Sequence, residues 1–378
     1  MLKKVFCFFV LALVSCNSSP TKTDLVLGGP EQGFLPPPVW KSSMQNLKKD
    51  LITLQPYFFD KVKFNDPKNK LFLEKEIHSL AQESLNIKHD PMISSQDPSV
   101  RFISIQFADE LTRADENFST GHLEFSRSQL VKVTSYCVEC HTRLKQGPDF
   151  NSQTSTTGYL DKLPVVEQIE FMIAFRQFDS AFDLVLKTMK KSLPKNSIDY
   201  DSNRIARLGL LIAVQFKQDG ANAQKLTAAI EMNSSLPSLL RKKNKLWIKS
   251  LASWGSNDTL RTLPEIRNLI KNRKSEVEDM RVIAALLQIL TTELNTDELG
   301  EALLLTGESY ESINKISIMS LHENYYESCV RKAPKSKFAK ICFDKLNDSI
   351  RTSYSGTSGT QVPTDIQKNL QNLKKELN

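Results

Sequence analysis

The sequence predicts an all-α protein: a four-helix bundle followed by an α-helical repeat domain of solenoid type. Three observations carry that expectation. Glycine (13) and proline (16) are few and clustered in 378 residues, which disfavours a turn-rich β fold. Apolar residues recur in alternating steps of three and four, the buried stripe of an amphipathic helix. Asp66-Pro67 and Asp97-Pro98 each place a capping carboxylate before a first-turn proline. The length allows two domains, and 40% hydrophobic residues suffice for a full core.

The chain opens on a short basic stretch, Met1-Leu2-Lys3-Lys4, and an apolar run, Val5 to Val14, too short to span a bilayer. Leu13-Val14-Ser15-Cys16 follows. This segment resembles the bacterial lipobox. The resemblance makes residues 1–16 a lipoprotein signal segment and Cys16 the acylated new N-terminus, tied to a lipid bilayer. An ordinary secretory signal with a chance cysteine is the alternative. The resemblance places the protein in the cell envelope, facing the periplasm. Asn17 stands where Asp often marks inner-membrane retention, and so leans toward the outer membrane. Residues 17–38 are rich in Asn, Ser, Gly and Pro and end in Pro36-Pro37-Pro38, a tether with a stiff end. The formal charge of +7, lowered by two with the loss of Lys3 and Lys4, is too mild to argue for nucleic acid. No basic run is interleaved with aromatics either, so no nucleic-acid partner is expected.

Helix one is expected from Val39 to Leu54, with Trp40, Met44, Leu47, Leu51 and Leu54 on its buried stripe and Pro56 as terminator. The second helix starts at Asp66-Pro67 and buries Leu73, Ile77, Leu80 and Ala81; the third starts at Asp97-Pro98 and buries Ile103, Phe107, Leu111 and Ala114. The fourth begins near Gly121, carries Leu123, Leu130, Cys137 and Leu144, and stops at Gly147-Pro148.

Near the end of that fourth helix stands Tyr136-Cys137-Val138-Glu139-Cys140-His141. The C-x-x-C-H spacing is that of c-type haem attachment. Cys137 and Cys140 can each add to one vinyl group of a porphyrin, and His141 is then close enough to ligate the iron as proximal ligand. The competing reading is a redox or zinc C-x-x-C followed by a chance histidine. The expected cofactor is one covalent haem c. Cys7 falls in the signal segment, which leaves Cys329 and Cys342 as a pair in an exported chain, where a disulfide is permitted. They flank Ala333-Pro334, so a bridge would staple a helical hairpin, contributing roughly 3 kcal/mol in the chain-entropy account.

Four amphipathic helices with the motif late in the last resemble the cytochrome c-prime family over roughly 39–148, on Met44 to Leu54 and Leu130 to Leu144. Low-spin members place a methionine near the start of helix one against the iron. Met44 stands at the matching place, and the resemblance makes it the distal iron ligand. As a core filler instead, Met44 would leave the iron open to small gases. His78, His89, Met92, His122 and His322 are weaker candidates, as are Met172 and Met189.

Residues 149–161 are polar and read as a linker, and 162–354 as a helical repeat domain. Its clearest hairpin joins 163–176 to 178–190. The bend Gln177-Phe178-Asp179-Ser180-Ala181 looks like a tetratricopeptide-type junction, though no clean period is present. Later helices include 238–254, 297–305 and 337–354. Residues 355–378 read as a flexible joint and a last helix with Ile366, Leu370 and Leu373 on one face. The expected function is membrane-anchored one-electron transfer with an unidentified redox partner protein docked on the helical domain. The alternatives are a five-coordinate sensor of nitric oxide or carbon monoxide, and an envelope scaffold in which haem stabilises the fold. No catalytic set of an enzyme is seen.

Overall fold

A computed structural model describes residues 39–90, 98–143, 160–192, 201–254, 260–313, 321–357 and 359–377. The signal segment with Cys16, the tether, Met92, the Trp40 side chain and most of the expected linker lie outside the described residues. Among the described residues every regular element is helical except one pair of two-residue strands.

Leu47, Leu51, Leu54 and Phe58 bury one face of α1 (Val39–Phe58). Pro56 does not end this helix but lies inside its last turn. A proline there removes only one of the few remaining hydrogen bonds, and continuing past it buries Phe58 to 1% exposure. Asp60 then caps the short α2 (Lys61–Asn65) through Lys63 N at 3.0 Å. Asp66 caps a 3-10 turn at Pro67 to Asn69 that leads into α3 (Lys70–Lys88). The expected Asp-Pro start signal thus opens the turn before the helix. α4 (Pro98–Ser119) and α5 (Leu123–His141) follow, and α1, α3, α4 and α5 pack in succession.

The second part begins with the hairpin of α6 (Val165–Ala174) and α7 (Phe178–Lys190). α8 (Asp201–Leu210) continues as one π-helical stretch, Leu211–Phe216. Then come α9 (Gly220–Glu231), α10 (Ser238–Ala252), α11 (Leu263–Lys271) and α12 (Glu276–Ile289). Reciprocal capping boxes fix the starts of α11 (Thr262 with Glu265) and α12 (Ser275 with Glu278). α13 (Thr296–Ile313), α14 (Leu321–Lys332), α15 (Ala339–Ser353) and α16 (Thr364–Glu376) complete the chain.

α13 runs eight residues past its expected end at Leu305. The helix continues through Gly307, which serves packing. A Cβ at this position would collide with Cε1 of the fully buried Tyr326 on α14. Gly307→Ala is therefore expected to destabilise the protein by about 1–3 kcal/mol through overpacking, measured as a lowered urea midpoint. The same change at the exposed Gly356, where a Cβ meets nothing within 4 Å, should leave the midpoint unmoved.

Cys329 and Cys342 are joined in a disulfide that ties α14 to α15. The expected joint after α15 holds an antiparallel pair, Ser355 opposite Thr360 and Gly356 opposite Gly359. α16 packs on α14 and α15, with Leu373 fully buried and Arg331 reaching Glu376 at 2.9 Å and Asn369 at 2.8 Å. The described residues from 39 onward form one compact unit, and their apolar clusters join elements on both sides of 149–161. Leu160 packs with Phe171 and Phe175 against Ile52 and Phe59, and Ile103 of α4 shares a cluster with Tyr310 and Tyr325.

Candidate functional site

The C-x-x-C-H residues occupy the last turns of α5. Leu130, Val133 and Val138 bury this helix. It ends on His141 itself, short of the expected stop at Gly147-Pro148, which lies outside the described residues. The two residues after it are held in place by their side chains. The Thr142 hydroxyl and backbone N–H both donate to the carbonyl of Val138, at 2.7 and 3.1 Å. Arg143 turns its guanidinium back into the protein, to Glu139 Oε2 and to Ser99 Oγ of α4, each at 2.8 Å. That guanidinium also lies 4.6 Å over the ring of Tyr310, which stacks on Tyr325, and Tyr325 donates to Ser99 at 3.0 Å. Arg143 is thus a buried bolt between the motif helix and the helices near the C-terminus.

Cys137 and Cys140 are half-buried, and neither is in a disulfide. Three residues apart, they share one face of the helix. Cys137 packs toward Ile52, Phe59, Leu160 and Phe171; Cys140 and Tyr136 touch both the core of α1–α5 and the core of α13–α16. Val138, between them, belongs to the core of α6–α10. The motif therefore sits where several apolar clusters meet. Burial, with Cys140 beside it, pushes the Cys137 thiol up to about 12.

His141 is buried to 8% exposure. Burial first, and then the positive charge of Arg176, lower its pKa to about 4, against the opposing pull of backbone hydrogen bonds at Ile173 and Ala174. The ring is therefore a neutral imidazole across ordinary pH, the form that ligates a metal. A histidine with a depressed folded pKa stabilises the fold above its unfolded value of 6.5, and that contribution is lost as pH falls toward 4. In the chain without a bound group, about 3 kcal/mol of stability should disappear over that window. Denaturant midpoints taken through it check this, and His141→Gln should flatten the slope.

Arg176 and Glu170, both from the α6–α7 hairpin, complete the surroundings. Arg176 has a left-handed backbone, φ 58°, at the helix end where glycine is the usual residue. Gln177 N donates to the carbonyl of Met172 at 2.7 Å across this turn. The Arg176 guanidinium lies 5.6 and 5.8 Å from the rings of Phe178 and Phe216, which stack on each other, and its charge reaches Cys140. Glu170 is buried and ion-paired with Arg204, and Thr134 of α5 donates to it. Burial raises its pKa despite those partners. Neither residue emerges from the motif itself. A readable signal for Arg176 was an arginine standing in a glycine position between Phe175 and Gln177.

Met44 is half-buried against the same cluster as Tyr136, Cys137 and Cys140. Its level along the helices is fixed by Arg127 Nη1, which donates to the carbonyl of Phe58 at 3.0 Å and so pairs the end of α1 with the start of α5. Met44 lies fourteen residues before Phe58 and His141 fourteen after Arg127, about 21 Å along each helix. The antiparallel register sets them at one height. The ring of His141 itself meets the backbone of α6.

The other candidates have ordinary roles. His78 pairs with Asp115 at 2.8 Å, His122 with Thr120 at 3.0 Å and His322 with Ser349 at 2.8 Å. His89 ends α3, and Met172 and Met189 pack in the core of α6–α10.

The donors present fit a covalently held haem: two thiols outside any disulfide on one helix face and an adjacent imidazole kept neutral. Among the described residues no three His, Cys, Asp or Glu side chains converge as they would around a bare metal ion. No family model matches this chain, and neither the curated proteins nor the solved structures provide a match.

Proposed function

We propose that this chain is a lipid-anchored, mono-haem c-type cytochrome that passes single electrons in the cell envelope. Residues 39–148 would form a cytochrome c-prime-like four-helix bundle, and 162–354 a tetratricopeptide-like helical domain that docks an unidentified redox partner protein. Acylated Cys16 would hold the protein to the periplasmic face of a bilayer, the outer membrane by the lean of Asn17. The observation that carries the reading is the C-x-x-C-H with neither thiol in a disulfide while Cys329 and Cys342 are bonded to each other.

When bound, the haem supplies a one-electron couple. Cys137 and Cys140 would hold it, and His141 would face the iron with its proton already displaced by burial. The Arg176 cation beside Cys140 and His141 would favour the reduced, less positive state of the site. Haem staining after denaturing electrophoresis, with the reduced spectrum of the native protein, tests the reading. An unstained band refutes it.

The half-buried setting of Met44, ordinary for a core methionine, favours a second reading: a five-coordinate iron that binds nitric oxide or carbon monoxide. Carbon monoxide distinguishes the two. With Met44 as distal ligand, the reduced wild type should ignore the gas, and Met44→Ala should bind it within mixing time with a full spectral change. A wild type that already binds it removes Met44 from the coordination sphere.

A further inference from the structure

Away from the motif, the outer side of α10 is the most unusual surface. The helix contains Arg241, Lys242, Lys243, Lys245 and Lys249 and no acidic residue. Its inner side packs into the core through Leu240, Asn244, Trp247 and Leu251. Outward, Leu239, Lys242, Leu246 and Lys249 follow at steps of three and four and are all exposed, as are the flanking Lys245 and Ile248. Leu239 is 64% and Leu246 46% exposed, and Met232, just before the helix, is 77% exposed. A recess of about 180 Å³ opens beside the start of α10, lined mainly by Lys190, Ser192, Asn233, Ser234 and Ser235, with Met232 at its rim. The Asn233 amide builds this corner. It donates to the carbonyls of Met189 and Lys191, at 2.7 and 2.9 Å, and so draws the lysine-bearing end of α7 to the loop before α10. Glu231, the acidic group next to this face, is bonded to Asn244 at 3.3 Å.

We propose that this face lies on an anionic bilayer. Leu239 and Leu246 enter the headgroup layer, Lys242, Lys245 and Lys249 pair with lipid phosphates, and the recess receives one headgroup phosphate. A bilayer suits this pattern better than an acidic protein does. Each leucine stands isolated between lysines, and no contiguous apolar centre is available for a desolvated protein interface. Lysine stems can instead lie along the apolar layer with their ammonium groups in the headgroups, as on interfacial amphipathic helices. The contact is independent of the haem reading and additional to any acyl group at Cys16.

Flotation tests it with the chain from residue 17 onward, so that neither the apolar signal segment nor an acyl chain contributes. The protein should float with phosphatidylcholine vesicles containing phosphatidylglycerol and stay behind with phosphatidylcholine alone. Lys242→Gln, Lys245→Gln and Lys249→Gln together should lower partitioning roughly a hundredfold, at the usual strength of a lysine near an anionic surface. Leu239→Gln with Leu246→Gln should lower it as well. All five side chains are exposed, so the helical circular dichroism should be unchanged. Equal flotation with both vesicle types, or indifference to the lysine changes, overturns the proposal. So does binding of polyglutamate without vesicle binding, which would assign the face to an acidic protein, or capture of inorganic phosphate alone.

Discussion

Replacing Cys137 and Cys140 together with alanine is expected to abolish covalent haem completely. The wild-type mass after denaturation should exceed the acylated chain by one haem, and the double variant should show none of that excess. Each single variant should keep one thioether, with a shifted reduced band. Both sulfurs are half-buried rather than central to the core, so loss of colour should not be loss of fold, and the helical circular dichroism should stay near that of the haem-free wild type. Cys329→Ser with Cys342→Ser is the control: it removes the other sulfur pair and should leave haem content intact while lowering stability. Staining that survives in the Cys137/Cys140 double variant would place the group elsewhere and end the proposal.

Arg143→Ala carries the largest expected stability effect, about 3 kcal/mol. The Arg143 side chain is 2% exposed and joins Glu139, Ser99 and the Tyr310 ring. Removing one partner of a buried ion pair typically costs 3–5 kcal/mol, and the lower end applies because Glu139 retains 21% exposure. Arg143→Lys should restore little, since an ammonium cannot match the fork of a guanidinium. Ser99→Ala should cost about 1 kcal/mol, the net worth of a buried hydrogen bond. Guanidinium midpoints for the three variants check the ordering. A near-neutral Arg143→Ala would show that the helices near the C-terminus do not depend on this contact.

The helical class and most individual helices were legible in the sequence because their stripes obey a 3.6-residue period. Three kinds of information were not. Proline and glycine have local meanings that burial can override: Pro56 inside α1 looks like a break until Phe58 is seen to need the position, and α13 continues through Gly307, which packs against Tyr326. A helix can end well before the Gly-Pro that would stop it, as α5 does at His141, with Thr142 and Arg143 tied down by tertiary and local contacts that leave no sequence signal. And contacts of long separation leave no periodic trace. The motif could be read in six residues, but its neighbours Glu170, Arg176, Tyr310 and Tyr325 lie far along the chain and become visible only in three dimensions.

The meeting of cores at the end of α5 constrains the order of biogenesis. Once α6 and the tyrosines of α13 and α14 have closed over this spot, the two cysteines are left only half-exposed. If the chain carries haem as proposed, a ligating enzyme would have to reach them earlier, while residues 160 onward are still undocked. Under the proposed export the chain would emerge with the motif ahead of its covering helices, so the window would open by itself, and the folding rate of the later helices would set how long it lasts.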